Sequence, residues 1–137
     1  MKKKYLIVLL SLCFLHLNAQ SKVLAAKKEI SETAIILNKK LPAKIDDLTT
    51  VIIINYDYER NELAYFFKVT DYYNSEMYKQ GVDKFIENAK SSAINFIRNH
   101  PNNKSYIIAQ LDYVYIYLDS NNKLIYKYRI TPNDYNN

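Results

Sequence analysis

At 137 residues, with a formal net charge of +5, one cysteine, two histidines and one glycine, the chain is long enough for one domain but poor in the side chains that most enzyme mechanisms use. Lys2, Lys3 and Lys4 supply three of those five charges, and Cys13 and His16 stand in the same N-terminal stretch, so the remainder is thiol-free with His100 as its one imidazole. That excludes disulfides, Cys-rich zinc sites and a cysteine nucleophile from the remainder, and the lone Gly81 excludes phosphate-cradling glycine loops.

Met1 to Gln20 reads as a secretory signal peptide. The three lysines form a positive n-region, Tyr5 to Leu17 an apolar h-region broken by Ser11 and His16, and Asn18-Ala19-Gln20 offers a small residue for a peptidase. Cleavage is expected after Ala19, leaving a leader over residues 1–19 and a single α+β domain over 20–137 that is exported to the periplasm or beyond. The apolar run is shorter than the roughly 20 residues a spanning helix needs, so no stable membrane anchor is expected after cleavage. Cys13 raises lipidation, but Leu12 stands where lipoprotein signals carry Gly, Ala or Ser. The remaining charge, about +2, is spread over interleaved acids and bases, which argues against a nucleic-acid partner.

Val23, Ala26, Ile30, Ala34, Leu37 and Leu41 recur at steps of three and four, predicting a helix from Ser21 that Pro42 ends. Thr50 to Tyr58 and Leu63 to Thr70 are β-branched and aromatic runs joined by Glu59-Arg60-Asn61-Glu62, a hairpin. Alternation puts Ile52, Ile54, Tyr56 and Tyr58 on one face of the first strand, and Leu63, Tyr65, Phe67 and Val69 together on the second.

Asn74 or Ser75 is placed to cap a second helix whose stripe is Tyr78, Val82, Phe85, Ala89, Ala93 and Phe96, with Ile86 and Ile97 alongside and Pro101 closing it. Gly81 inside that pattern costs about 1 kcal/mol relative to alanine, which predicts an irregular first turn. Asn102 to Gln110 reads as one or two helical turns, or else the start of a strand.

Leu111 to Leu118 and Leu124 to Ile130 alternate cleanly about a turn at Asp119-Ser120-Asn121-Asn122, and the polar tail from Thr131 is expected to fray. The order helix, strand, strand, helix, strand, strand predicts a two-layer α+β sandwich. Its four-stranded, mainly antiparallel sheet carries the helices on one face.

Leu37-Asn38-Lys39-Lys40-Leu41-Pro42 followed by Ile45-Asp46, and Tyr115-Ile116-Tyr117-Leu118-Asp119 with Lys123 past the turn, resemble a family of small exported bacterial proteins of unassigned function. That family has an LNKxLP…D opening and a YxYxDxxGK hairpin. The resemblance spans most of the chain after the leader. Relatives commonly carry cysteine where Arg98 stands and glycine where Asn122 stands. The layout is also similar to one class of type II secretion pilotins, small outer-membrane lipoproteins that escort secretin subunits.

The feature most open to a functional reading is the tyrosine set Tyr113, Tyr115, Tyr117, Tyr126 and Tyr128. Alternate tyrosines on paired strands form an aromatic platform for sugars, bases or a partner's side chains if that face is uncovered, and ordinary packing if the helices lie on it. The abundance of Ile, Lys, Asn and Tyr fits an AT-rich coding bias, so tyrosine number alone argues little. His100, beside Pro101, reads as a surface residue at a helix end rather than an acid/base catalyst. Asp57 and Glu59 invite comparison with a glycosidase pair, but nothing marks one acid as buried and the other as exposed. Asp119 to Lys123 opens like a calcium loop and then fails, with lysine fifth and leucine sixth where glycine is needed.

No metal or other cofactor is expected. The expected role is non-catalytic contact with a protein or envelope component. The alternatives are a periplasmic inhibitor or immunity protein, a pilotin-like secretion accessory and a carboxylate-dependent glycosidase.

Overall fold

The computed structural model describes residues 2–71, 75, 79, 81–100 and 103–136, with side chains from residue 19 onward. Helix α1 (Lys2–Asn38) runs without a break through the expected cleavage position. Among the described side chains of α1 the buried ones are Ala26, Ile30 and Ala34, four apart on one stripe. The helix ends at Asn38, ahead of Pro42, and the Asn38 amide lies on the Ile54 backbone. Its Nδ2 donates to the Ile54 carbonyl, and its Oδ1 accepts the Ile54 N–H at 3.0 Å.

Asn38 thereby does what a neighbouring strand does at a sheet edge. Asn38→Ala is expected to cost about 1–2 kcal/mol, since both Ile54 groups lose a partner. Asn38→Asp, which keeps the acceptor but sets a carboxylate oxygen against the Ile54 carbonyl, is expected to cost at least as much as Asn38→Ala. Urea unfolding of the two variants checks this, and stability equal to the parent in Asn38→Ala would mean that the edge needs no cap.

The sheet has five strands in the order β1-β2-β3-β4-β5. These are β1 (Ala43–Lys44), β2 (Thr49–Asp57), β3 (Glu62–Val69), β4 (Asp112–Leu118) and β5 (Leu124–Ile130). Pairings are antiparallel except β3 with β4, which run parallel, so the sheet is mixed where four mainly antiparallel strands were expected. The added strand is β1, two residues against Val51 and Thr50, too short to leave a periodic signature. The parallel pair follows from joining two hairpins through helices, as a parallel neighbour requires a long crossover. That crossover holds α2 (Val82–Asn99) and α3 (Lys104–Ala109).

The expected face of β2 also needs correction. Val51 pairs with Phe67 and Ile54 with Tyr65, leaving Ile52 as the extra residue of a bulge. One inserted residue reverses the alternation, so Thr49 and Val51 share the helix side with Ile54 and Tyr56, and Ile53 is 47% exposed. In the turn that follows, Asn61 sits at φ 54, a left-handed conformation that asparagine tolerates. Its Nδ2 donates to the carbonyls of Ala109 (2.7 Å) and Gln110 (2.9 Å), fastening the hairpin to the end of α3. A second register shift falls between Tyr117 and Leu118. It pairs Leu124 with Leu118 and leaves Leu124 half exposed, off the face shared by Tyr126, Tyr128 and Ile130.

Helix α2 begins after Gly81, whose φ of 87 lies outside helical space, so the expected start at Asn74 or Ser75 does not belong to this helix. Asn74, Tyr78 and Pro101 lie outside the described residues. Phe96, expected on the buried stripe, is 58% exposed.

The tail does not fray. Pro132–Tyr135 form helix α4, opened by Thr131, whose N–H donates to Asp134 Oδ2 at 2.7 Å while the Asp134 N–H donates to the Thr131 carbonyl at 2.9 Å. The Thr131 backbone donor, more than any other partner, holds the Asp134 carboxyl below its ordinary range. Arg98 donates to the carbonyls of Asp134 (2.8 Å) and Tyr135 (3.1 Å), binding α2 to α4. On the opposite face of the sheet Arg129 joins Glu62 and Asp112 at 2.5 Å each.

Candidate binding groove

The helices cover the sheet unevenly. α1 rests on α3 and β2, whereas α2 rests on β5 and α4. Along α2 only Ile97 is buried; Val82, Phe85, Ile86, Ala89 and Ala93 remain partly exposed although they point inward. The space between α1 and α2 is a cavity of about 900 Å³. Glu29, Thr33 and Leu37 of α1 form one wall, Ala89, Ala93 and Phe96 of α2 the other, and Tyr65, Phe67, Tyr113, Tyr115, Tyr117 and Tyr128 the floor. Its size falls at the upper end of the range for ligand pockets.

All five tyrosines expected from alternation on β4 and β5 lie on the helix side of the sheet. Tyr113, Tyr126 and Tyr128 are buried, and Tyr115 and Tyr117 partly so. Four of them line the groove; Tyr126 instead meets the Phe85 ring edge-on at 5.9 Å. The rings stand face to face across the strands. Tyr115 lies 4.9 Å from Tyr128, Tyr117 4.4 Å from Tyr126, Phe67 4.7 Å from Tyr117 and Tyr65 5.5 Å from Tyr115, all within 20° of parallel. Their faces are therefore taken up by one another, and side chains standing upright on a sheet present edges and hydroxyls to the groove.

The parallel β3–β4 pairing extends the row to Tyr65 and Phe67, which sequence reasoning left out of the site. Their alternation matches that of β4, but only the pairing of the two strands puts the rings in one row.

Burial pushes the hydroxyls of Tyr65, Tyr113, Tyr115 and Tyr117 above their ordinary pKa, opposed at Tyr117 by hydrogen bonds with Tyr128 and Tyr126. The Tyr113 hydroxyl is buried with no hydrogen-bond partner among the described residues. At one wall Glu29 Oε2 accepts the Ser105 hydroxyl proton at 2.6 Å. Tyr106 is raised first by burial and then by the Glu29 carboxylate.

His100 lies against the Phe96 ring at 4.7 Å on the groove lining. The carboxylates first considered for catalysis are not in the groove. Asp57 pairs with Arg60 at 3.6 Å in the β2–β3 turn, and Glu59 is exposed in the same turn. At the β4–β5 turn Asp119 Oδ1 accepts the N–H groups of Asn121 and Lys123 at 2.8 Å each, the closure of a hairpin. Asn122 there has φ 64, a left-handed conformation that asparagine tolerates. Among the described residues no group of three or more His, Cys, Asp or Glu is placed to hold a metal, and no helix is long and apolar enough to cross a membrane.

No protein-family model matches the chain, and no curated protein does. Solved structures do. A candidate secreted protein from Pseudomonas aeruginosa superposes with a TM-score of 0.65 at 11% identity, covering 82% of this chain and 95% of its own. EpsS, a pilotin of the Vibrio vulnificus type 2 secretion system, gives 0.61 at 14% identity over 85% of this chain and 96% of its own. AspS, the type II secretion pilotin of Vibrio cholerae, gives 0.57 at 12% identity over 84% and 96%. At such identities the likeness establishes a shared fold, and the chain spans nearly the whole of each of these structures.

Proposed function

We propose that this is an exported, non-catalytic protein of the bacterial envelope that acts as a pilotin-like secretion accessory, holding an apolar segment of a protein partner between α1 and α2. The observation that carries the reading is the groove itself. It is about 900 Å³ of apolar wall and phenolic floor left open by two helices that pack on different neighbours. Its setting in a fold shared with two pilotins supports the secretion role over the inhibitor and glycosidase alternatives. The partner implied by that resemblance is a secretin subunit.

The test uses protein purified from cells expressing the full-length gene, immobilised and exposed to envelope extract, with bound proteins identified by mass spectrometry. Ala93→Trp fills the groove from the α2 wall. Capture of a secretin subunit by the parent, reduced at least tenfold by a folded Ala93→Trp, is the expected result. Ala89→Phe serves if the first variant does not fold. A secretin subunit retained equally by the filled variant, or none captured at all, overturns the reading.

A further inference from the structure

We infer that the groove selects apolar segments carrying a basic side chain, and that Glu29 is the residue that reads it. The inference rests on the groove being the binding site. The chain has 19 lysines and arginines, yet none lines the groove among the described residues, and Glu29 is its one carboxylate. The carboxylate is held in place: Oε2 takes the Ser105 proton at 2.6 Å, while Oε1 has no hydrogen bond among the described residues.

The C-terminal end of α2 also lines the groove, but its carbonyls are capped: Asn103 Nδ2 donates to Phe96 and Ile97, and the Asn103 N–H to His100, which leaves Glu29 as the negative group that a basic side chain meets. Arg98, the basic residue in the last turn, is committed to the Asp134 and Tyr135 carbonyls. The phenolic hydroxyls of the floor both donate and accept, so they serve a side chain of either charge and leave the choice to Glu29.

A segment entering the groove must be apolar to match Phe67, Ala89, Ala93 and Ile97. If it brings a lysine or arginine, that charge meets Glu29 and a row of hydroxyls. Glu29 is exposed at the rim of the groove, so a glutamate there meets a like charge in a partly solvated setting, with no lysine or arginine among the described lining residues to offset it, and the two carboxylates repel. Charge complementarity therefore decides the partner's chemistry.

The probes are three synthetic amphipathic helical peptides identical except for one central position on the apolar face, which is lysine, norleucine or glutamate. Binding to the intact protein is measured by fluorescence anisotropy at about pH 8, above the ordinary titration range of imidazole. The expected result is at least tenfold tighter binding of the lysine than the glutamate peptide, about 1.4 kcal/mol, with norleucine between them. Glu29→Gln, which keeps an acceptor for Ser105, is expected to reduce the lysine-to-glutamate ratio to within twofold. Equal binding of the two charged peptides, or a ratio that survives Glu29→Gln, overturns the inference while leaving the groove as the binding site. If none of the three binds the parent, or all bind Ala93→Trp equally well, the groove reading itself falls and the inference with it.

Discussion

Tyr135→Ala is expected to lose about 3–5 kcal/mol, as large aromatic deletions in a core do, out of the roughly 5–15 kcal/mol that stabilises a typical domain. Tyr135 is 4% exposed although it is the third residue from the end of the sequence. Its ring meets Tyr113 edge-on at 5.8 Å, and its hydroxyl donates to the Leu111 carbonyl at 2.9 Å inside the core. Deletion therefore opens a cavity beside the floor of the groove and leaves a buried carbonyl unpaired. Tyr135→Phe, which keeps the ring, is expected to lose only about 1–1.5 kcal/mol. Urea unfolding followed by circular dichroism separates the two. A Tyr135→Ala protein within about 1 kcal/mol of the parent would mean that α4 contributes little, against the capping box, the Arg98 bonds and the Lys90–Asp134 pair at 3.3 Å that hold it.

The tail shows how composition can hide a local signal. Thr131-Pro132-Asn133-Asp134 is a capping box with proline at the first helical position, but its polarity suggests fraying unless the four residues are weighed by position. Periodicity was reliable where a stretch packs directly on its neighbours in the core. Ala26, Ile30 and Ala34 lie on the predicted stripe of α1, Tyr113 and Tyr115 on the predicted face of β4, and the short helix after residue 102 is α3.

Periodicity failed where a distant contact sets the backbone. The β2 bulge lies beside Asn38, whose contact to Ile54 spans 16 residues, and no alternation within Thr50–Tyr58 reveals it. The tyrosine row was legible as a set, whereas its orientation was not. Whether rings show faces or edges depends on Tyr65 and Phe67 pairing with Tyr115 and Tyr117 across the sheet, a long-range register that no local window contains. The groove was beyond reach for the same reason, since its width is the separation of two helices that pack on different neighbours.

The phenolic floor makes the fold sensitive to alkali. Burial is the first cause of the raised pKa at Tyr65, Tyr113, Tyr115 and Tyr135. A phenol whose folded pKa is raised contributes stability that is fully present below its unfolded value, about 10, and is lost as pH climbs towards the folded value. At about pH 12 each phenol that ionises only on unfolding favours the unfolded chain by about 2.7 kcal/mol, so a few of them together rival the whole stability of the domain. Phenolate absorbance is therefore expected to rise in two phases, the second cooperative and coincident with loss of the far-ultraviolet circular dichroism signal. A single smooth titration near pH 10 with the dichroism intact would show that water reaches the row. Because Tyr113 and Tyr115 line the groove, an apolar segment seated there shields the same hydroxyls and binds the folded state alone. Linkage then requires the second phase to move to higher pH in the presence of any segment that occupies the groove.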